Sequence, residues 1–199
     1  MTRDLVVATR NADKVREIGE VLAGLPVRLR SLADLPGAPD VPETGATFEE
    51  NAGLKAHAVA AATGEVALAD DSGLVVDALG GAPGVYSNRF AGPGATDQEK
   101  NQRVLGMLKD VAPERRAARF VAAIAIASPD GRAQSVTAAC EGQIAFAPRG
   151  EHGFGYDPIF LLPGRGLTMA ELPPDEKNKV SHRGKALGLA RELVVSGEW

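Results

Sequence analysis

The chain is poor in the features that most often settle a protein's class at first sight. Its 199 residues include a single cysteine, Cys140, and only 5% aromatics. One thiol can neither close an intrachain disulfide nor build a cysteine-rich zinc site. No apolar run approaches the ~20 residues that a membrane-crossing helix needs. The opening run Leu5-Val6-Val7-Ala8 is too short for a signal-peptide core and gives way to polar residues. A soluble, cytoplasmic protein is therefore expected. A basic excess is missing too: 22 Lys and Arg stand against 26 Asp and Glu, for a formal net charge of −4. That balance speaks against long nucleic acid as the main partner. It leaves room for a small anion held by a few well-placed lysines.

What is present has an ordinary globular composition, 44% hydrophobic and 24% charged. The length suits one domain with a core of its own, spanning residues 1–199. The run 5–8 reads as a strand that ends at the polar turn Thr9-Arg10-Asn11. Val15, Ile18, Leu22 and Leu25 then recur at helical spacing until Gly24 and Pro26. Residues 27–29 suit a second strand. Thr47 and Glu50 have capping-box spacing ahead of an Ala-rich helix over 48–63. A short strand over 66–69 is expected to end at Asp70-Asp71-Ser72-Gly73. After a Gly- and Pro-crowded loop over 80–94, a helix is expected over 97–109. A hairpin follows, 120–127 with 134–141, turning at Pro129-Asp130-Gly131. A second Gly-rich loop over 150–157 and a last helix holding Leu187, Ala190, Leu193 and Val194 complete the chain. Helices and strands are interleaved, which predicts an α/β or α+β fold around a mixed sheet.

Four clusters carry chemistry. Lys14 falls in the first turn of a helix, where a cation opposes the dipole, so an anion held by the loop 9–13 would explain it; a solvated surface lysine is the alternative. Asp70 and Asp71 adjoin at a strand end, and a hard divalent cation would relieve their repulsion; a polar turn is the alternative. Glu43 is a possible further ligand. Phe154, between Gly153 and Gly155, is placed to stack on a flat ring, where a turn with a buried anchor is the plainer reading. Lys177 with Ser181-His182-Arg183-Gly184 gathers donors suited to a phosphate or a carbonyl-rich base, or else forms a surface basic patch. His57 and His152 have no visible partner in the sequence, His57 reads as solvent-facing on its Ala-rich helix, and Cys140 reads as a small buried residue of a strand.

Taken in order, these pieces resemble the inosine triphosphate pyrophosphatase family, the Ham1-type XTP/dITP diphosphatases. The resemblance rests on Thr9-Arg10-Asn11 with Lys14 and Glu17; on Glu43-Thr44-Gly45, Phe48, Glu50-Asn51-Ala52 and Lys55-Ala56; on Ala69 to Leu74; on Gly80 to Ser87; on Gly153 to Pro158; and on Ser181 to Gly184. It implies an elongated mixed sheet flanked by helices, in two lobes with the substrate cleft between them, and a homodimer. It implies Mg²⁺-dependent hydrolysis of ITP, dITP and XTP to the monophosphate and pyrophosphate, which keeps deaminated purines out of DNA and RNA. On that resemblance Asp71 is catalytic and binds the metal, with Asp70 and Glu43 in support. Thr9, Arg10, Asn11, Ala12, Asp13 and Lys14 lie along the triphosphate, with Lys55 nearby and Ser72 on the nucleotide. Phe154, Gly155, Tyr156, Asp157, Lys177, His182 and Arg183 surround the base and sugar, and Lys177 also offsets charge on the departing pyrophosphate. Many relatives carry glycine at the positions of Arg10 and Asp13. A similarly folded Maf-type pyrophosphatase with another modified-base preference is the alternative enzyme, though the Phe154 loop and Ser181-His182-Arg183 favour the purine family. A nucleotide sensor without catalysis is a third reading, against which the paired carboxylates argue.

Overall fold

The computed structural model describes residues 3–197. Its strands are β1 (Arg3–Val7), β2 (Val27–Ser31), β3 (Val66–Val76), β4 (Ala117–Ala127), β5 (Ala133–Ile144), β6 (Phe160–Leu162) and β7 (Leu167–Thr168). Its α-helices are α1 (Ala12–Val21), α2 (Phe48–Thr63), α3 (Asp97–Met107), α4 (Pro174–Val180) and α5 (His182–Ser196). The strands form one mixed sheet in the order β2-β1-β3-β4-β5-β6-β7. β1 pairs in parallel with β2 and with β3, whereas β5, β6 and β7 pair antiparallel. The expected α/β class with a mixed sheet is what the chain adopts.

The chain divides into two compact units. The first holds the described residues up to Asp71, then 122–138, then those from Arg183 onward; the second holds 72–121 and 139–182. Side chains alternate across a strand, and the first unit uses both faces of its strands. Leu5, Val7, Leu68, Ile124 and Ile126 pack with Ile18 and Leu22 at α1 and with Ala186, Leu187, Ala190 and Val194 of α5. Their neighbours Val6, Ala67, Ala69, Ala123 and Ala125 face the other way, against Ala52, Ala56, Val59 and Ala60 of α2. One face is thus built from branched and large residues. The other is built almost wholly from alanine, which lets α2 lie close to the sheet.

The capping box expected at α2 is formed: Thr47 Oγ1 accepts from the Glu50 N–H at 3.1 Å, and Glu50 accepts from the Thr47 N–H at 3.3 Å. The hairpin joining β4 to β5 closes where expected, with the Ser128 N–H donating to the Arg132 carbonyl at 2.9 Å. β3 departs from expectation. It does not stop at Asp70 but runs on to Val76, because both carboxylates find cationic partners and a paired charge is tolerated inside a strand. Helix α4 and strand β7 were not anticipated; at seven and two residues they are too short to show a period.

The second unit has its own core, in which Leu74, Val76, Phe120, Tyr156, Phe160 and Met169 meet. Its Gly- and Pro-rich segment 80–87 is an ordered turn pinned at Ser87. The Leu74 N–H donates to Ser87 Oγ at 2.9 Å, Ser87 Oγ donates to the Gly84 carbonyl at 2.7 Å, and the Tyr156 hydroxyl donates to the Ser87 carbonyl at 2.8 Å.

The alanine face carries a direct consequence. Ala56 is fully buried, so Ala56→Leu forces α2 off the sheet and should destabilise the fold by about 1–3 kcal/mol. Urea unfolding followed by circular dichroism measures this; a loss below about 0.5 kcal/mol, the usual range for surface changes, would contradict close packing there.

Candidate active site

Asp70 and Asp71 are consecutive residues of one strand, so their side chains leave it on opposite faces. Asp70 follows Leu68 onto the α1 and α5 side; Asp71 follows Ala69 onto the α2 side. This separates two carboxylates that the sequence reading had placed on one metal.

On the first side Asp70 is buried and meets two cations. Arg183 Nε donates to Oδ2 at 3.0 Å and Arg183 Nη2 to Oδ1 at 3.4 Å, while Lys14 Nζ forms a short ion pair with Oδ1. Arg183 also donates from Nη1 to Glu17 Oε2 at 2.6 Å. Two acids and two bases form a charge-balanced set, buried except for the partly exposed Lys14. Burial alone would raise the Asp70 carboxyl, but Arg183 and Lys14 override it and hold it far below the usual carboxylate range. For Lys14, burial is the larger influence, and its ammonium is pushed down despite Asp70. Asp70, expected beside Glu43 at the metal, has its oxygens engaged by Lys14 and Arg183. Arg183, expected at the base, has its guanidinium bound to Asp70 and Glu17. Glu17 was missed as a site residue, although one helical turn separates it from Lys14 on α1 and puts the two on one face.

On the second side Lys55 of α2 reaches between two carboxylates. Its Nζ lies 2.8 Å from Asp71 Oδ1, 3.0 Å from Glu43 Oε1 and 3.0 Å from the Asp70 carbonyl. Burial and the nearby Glu43 charge raise the Asp71 carboxyl, which Lys55 offsets only in part. Burial would raise Glu43 as well, but Lys55 outweighs it and Glu43 lies low. The remaining Asp71 oxygen, Oδ2, is buried and accepts no hydrogen bond among the described residues. An orphaned carboxylate oxygen beside a second carboxylate suits a hard cation. No group of three or more potential ligands occurs among the described residues, so Asp71 and Glu43 would hold such an ion with substrate oxygens and water completing the shell. That is how Mg²⁺ is usually bound at phosphate sites. The segment that carries Glu43 is tied to α2, where Asn51 Oδ1 accepts from the Gly45 N–H at 2.8 Å. A Cβ on Gly45 would come within 2.7 Å of Glu50 Cβ and 2.8 Å of that same Oδ1, so only glycine fits.

The loop ahead of α1 is organised by its own side chains. Thr9 Oγ1 accepts from the Asn11 N–H at 3.1 Å, and the Asn11 side chain accepts from the N–H groups of Asp13 and Lys14 at 2.9 and 3.1 Å. Asn11 therefore caps the helix with its own carboxamide, and Ala12 is its first residue. Arg10 turns to the Ala38 carbonyl at 3.1 Å and to Asp40. Asp13 pairs with Arg16 at 2.9 Å, which offsets its charge. Of this segment, Lys14 is the residue directed at the carboxylates.

The second unit presents the other expected cluster. Asp157 accepts the Phe154 N–H at 2.9 Å and the Lys177 ammonium at 2.6 Å, both on Oδ2. Lys177, buried on α4, also lies 4.8 Å from the Phe154 ring centre as a cation–π contact. Gly153 is required for a reason other than ligand approach: its φ is +76°, and a Cβ there would sit 2.1 Å from Asp157 Oδ2. Tyr156 is buried in the core and turned to Ser87. His182, at the start of α5, stacks on Phe120 with ring centres 4.6 Å apart. Ser72 is partly buried on β3, one residue after Asp71.

The Ham1 family profile matches residues 5–193. The chain belongs to the Ham1 family. Similar proteins include the dITP/XTP pyrophosphatase of Geobacillus kaustophilus, 55% identical over 93% of this chain and 91% of that one. The dITP/XTP pyrophosphatase of Bacillus subtilis is 49% identical over 96% and 97%. The solved Ham1 protein of Coxiella burnetii superposes with a TM-score of 0.89 at 43% identity, over 98% of this chain and 99% of that chain. The Ham1 membership thus covers both the β3 carboxylates and the Phe154 loop.

Asp70→Asn should leave Lys14 and Arg183 short of a counter-charge and cost about 3–5 kcal/mol of stability. Because the folded-state pKa of Asp70 is depressed, its contribution is complete above about pH 4 and declines as the pH falls below that, by at most ~1.4 kcal/mol per unit. The variant should therefore unfold earlier at pH 7 and show a shallower acid limb. Denaturation at pH 7 and pH 3 reads both; an unchanged midpoint at pH 7 would contradict the buried pairing.

Proposed function

We propose that this protein hydrolyses non-canonical purine nucleoside triphosphates, dITP, ITP and XTP, to the monophosphate and pyrophosphate, and so cleanses the nucleotide pool. The observation that carries the reading is the α2 face of β3. Asp71 and Glu43 share Lys55, and one buried Asp71 oxygen accepts no hydrogen bond among the described residues. Close relatives named dITP/XTP pyrophosphatases support the substrate class. In this reading the enzyme acts in the cytoplasm and, on the family resemblance, as a homodimer.

In this account Asp71 and Glu43 hold Mg²⁺, which supplies charge neutralisation on the phosphate oxygens. Asp71 orients a water toward the α-phosphorus and accepts its proton. The new bond is water oxygen to α-phosphorus; the bond broken joins the α-phosphorus to the bridging oxygen, which leaves with pyrophosphate. Lys14 and Lys55 counter the charge of the triphosphate and the leaving group. Lys177, bound to Asp157 beside the Phe154 ring, serves the base and not the leaving group. Phe154 offers a ring for stacking. A donor such as Lys177 suits the O6 of hypoxanthine and xanthine and opposes the amino group of adenine, and each donor left unpaired costs about 1–3 kcal/mol.

Pyrophosphate release with dITP, XTP, ATP and GTP tests the reading. The specificity constants for dITP and XTP should exceed that for ATP by roughly a hundredfold or more, EDTA should abolish turnover, and Asp71→Asn should lower kcat by about 10²–10⁴-fold. Equal rates on ATP and dITP would remove the specificity, and turnover in EDTA would remove the metal.

A further inference from the structure

The Phe154 loop is held from a helix that no part of the proposed chemistry uses. Asp97 opens α3, and its Oδ2 accepts the Gly155 N–H at 2.6 Å. One turn on, Asn101 donates from Nδ2 to the Gly155 carbonyl at 3.0 Å. Spacing of four residues puts both side chains on one helix face, so the two peptide groups flanking Gly155 are gripped from the same side. Asp97 is itself set by Lys100, whose ammonium lies 2.6 Å from Oδ1. Lys100 and Asn101 are buried, an unusual state for such residues on a helix with no other visible need for them.

The rest of the loop is fixed too. The Phe154 N–H goes to Asp157, and the Asp157 N–H returns to the Phe154 carbonyl at 3.2 Å. With Gly155 held at both ends and Phe154 tied to Asp157, the backbone that aims the Phe154 ring has no slack, and the ring stays over Lys177. A ring kept in place before a base arrives avoids the ordering that binding would otherwise require.

We propose that Asp97 and Asn101 are positioning residues for base recognition, which hold the Gly155 peptides so that Phe154 is pre-set for stacking. This rests on the reading of Phe154 as the base-stacking residue. Hydrolysis kinetics with dITP test it, alongside competitive inhibition by inorganic tripolyphosphate, which has no base. Asn101→Ala and Asp97→Ala should each raise KM for dITP about tenfold, the order of one lost buried hydrogen bond, with kcat and the tripolyphosphate Ki within about twofold. Asp97→Asn, which keeps an acceptor for the Gly155 N–H, should restore most of the KM. On a Phe154→Ala background, Asn101→Ala should raise KM no further, since the two act through one contact. If Phe154→Ala raises KM and neither α3 variant does, the clamp is overturned alone. If KM and the tripolyphosphate Ki rise together in the α3 variants, the damage is general and the clamp is overturned. If Phe154→Ala itself leaves KM unchanged, the stacking reading falls and takes the clamp with it.

Discussion

The alternation of side chains along a single strand governs this site. Asp70 and Asp71 are neighbours in the chain, yet β3 sends them to opposite faces. The first is neutralised by Lys14 and Arg183, the second shares Lys55 with Glu43. One sequence feature, a pair of adjacent carboxylates, thereby becomes two devices. Asp70 ties α1 and α5 to the strand through buried charge. Asp71 keeps a buried oxygen that accepts no hydrogen bond among the described residues.

The two faces are packed to suit these tasks. On the Asp70 side, leucine, isoleucine and valine fill the space under α1 and α5. On the Asp71 side, alanine meets alanine, and α2 comes near enough for Lys55 to reach the Asp70 carbonyl as well as the Asp71 carboxylate. The lysine's short list of partners is a consequence of small residues several positions away. Lys55 and Ala56 are consecutive, so packing and charge placement on α2 are one decision.

Much of this was legible in the sequence, and the misses have physical causes. The capping box at Thr47, the hairpin turn at Pro129-Asp130-Gly131 and the ordered set of motifs pointed to the right helix, hairpin and family. The strand end placed at Asp70 was wrong because charge is normally a sign of a turn, and only tertiary partners such as Arg183, 113 residues away, permit it inside a strand. For the same reason the pairing of Asp70 with Arg183 was not legible: adjacency in sequence conceals which face a side chain takes. The loop 9–13 hid the role of Asn11, whose carboxamide caps the helix N-terminus from within. Asp97 and Asn101 carried no local signal, since their partner Gly155 lies more than fifty residues on.

The central claim is that the carboxylates of β3 are divided in labour, with the metal assigned to Asp71 and not to Asp70. Calorimetric titration of Mg²⁺ into the protein bearing a non-hydrolysable α,β-methylene analogue of dITP measures this directly, with each variant first shown to be folded by circular dichroism. Asp71→Asn should weaken Mg²⁺ binding by about 10–100-fold or more, and Asp70→Asn should leave it within about threefold. Equal loss in both variants, or loss confined to Asp70→Asn, would contradict the account.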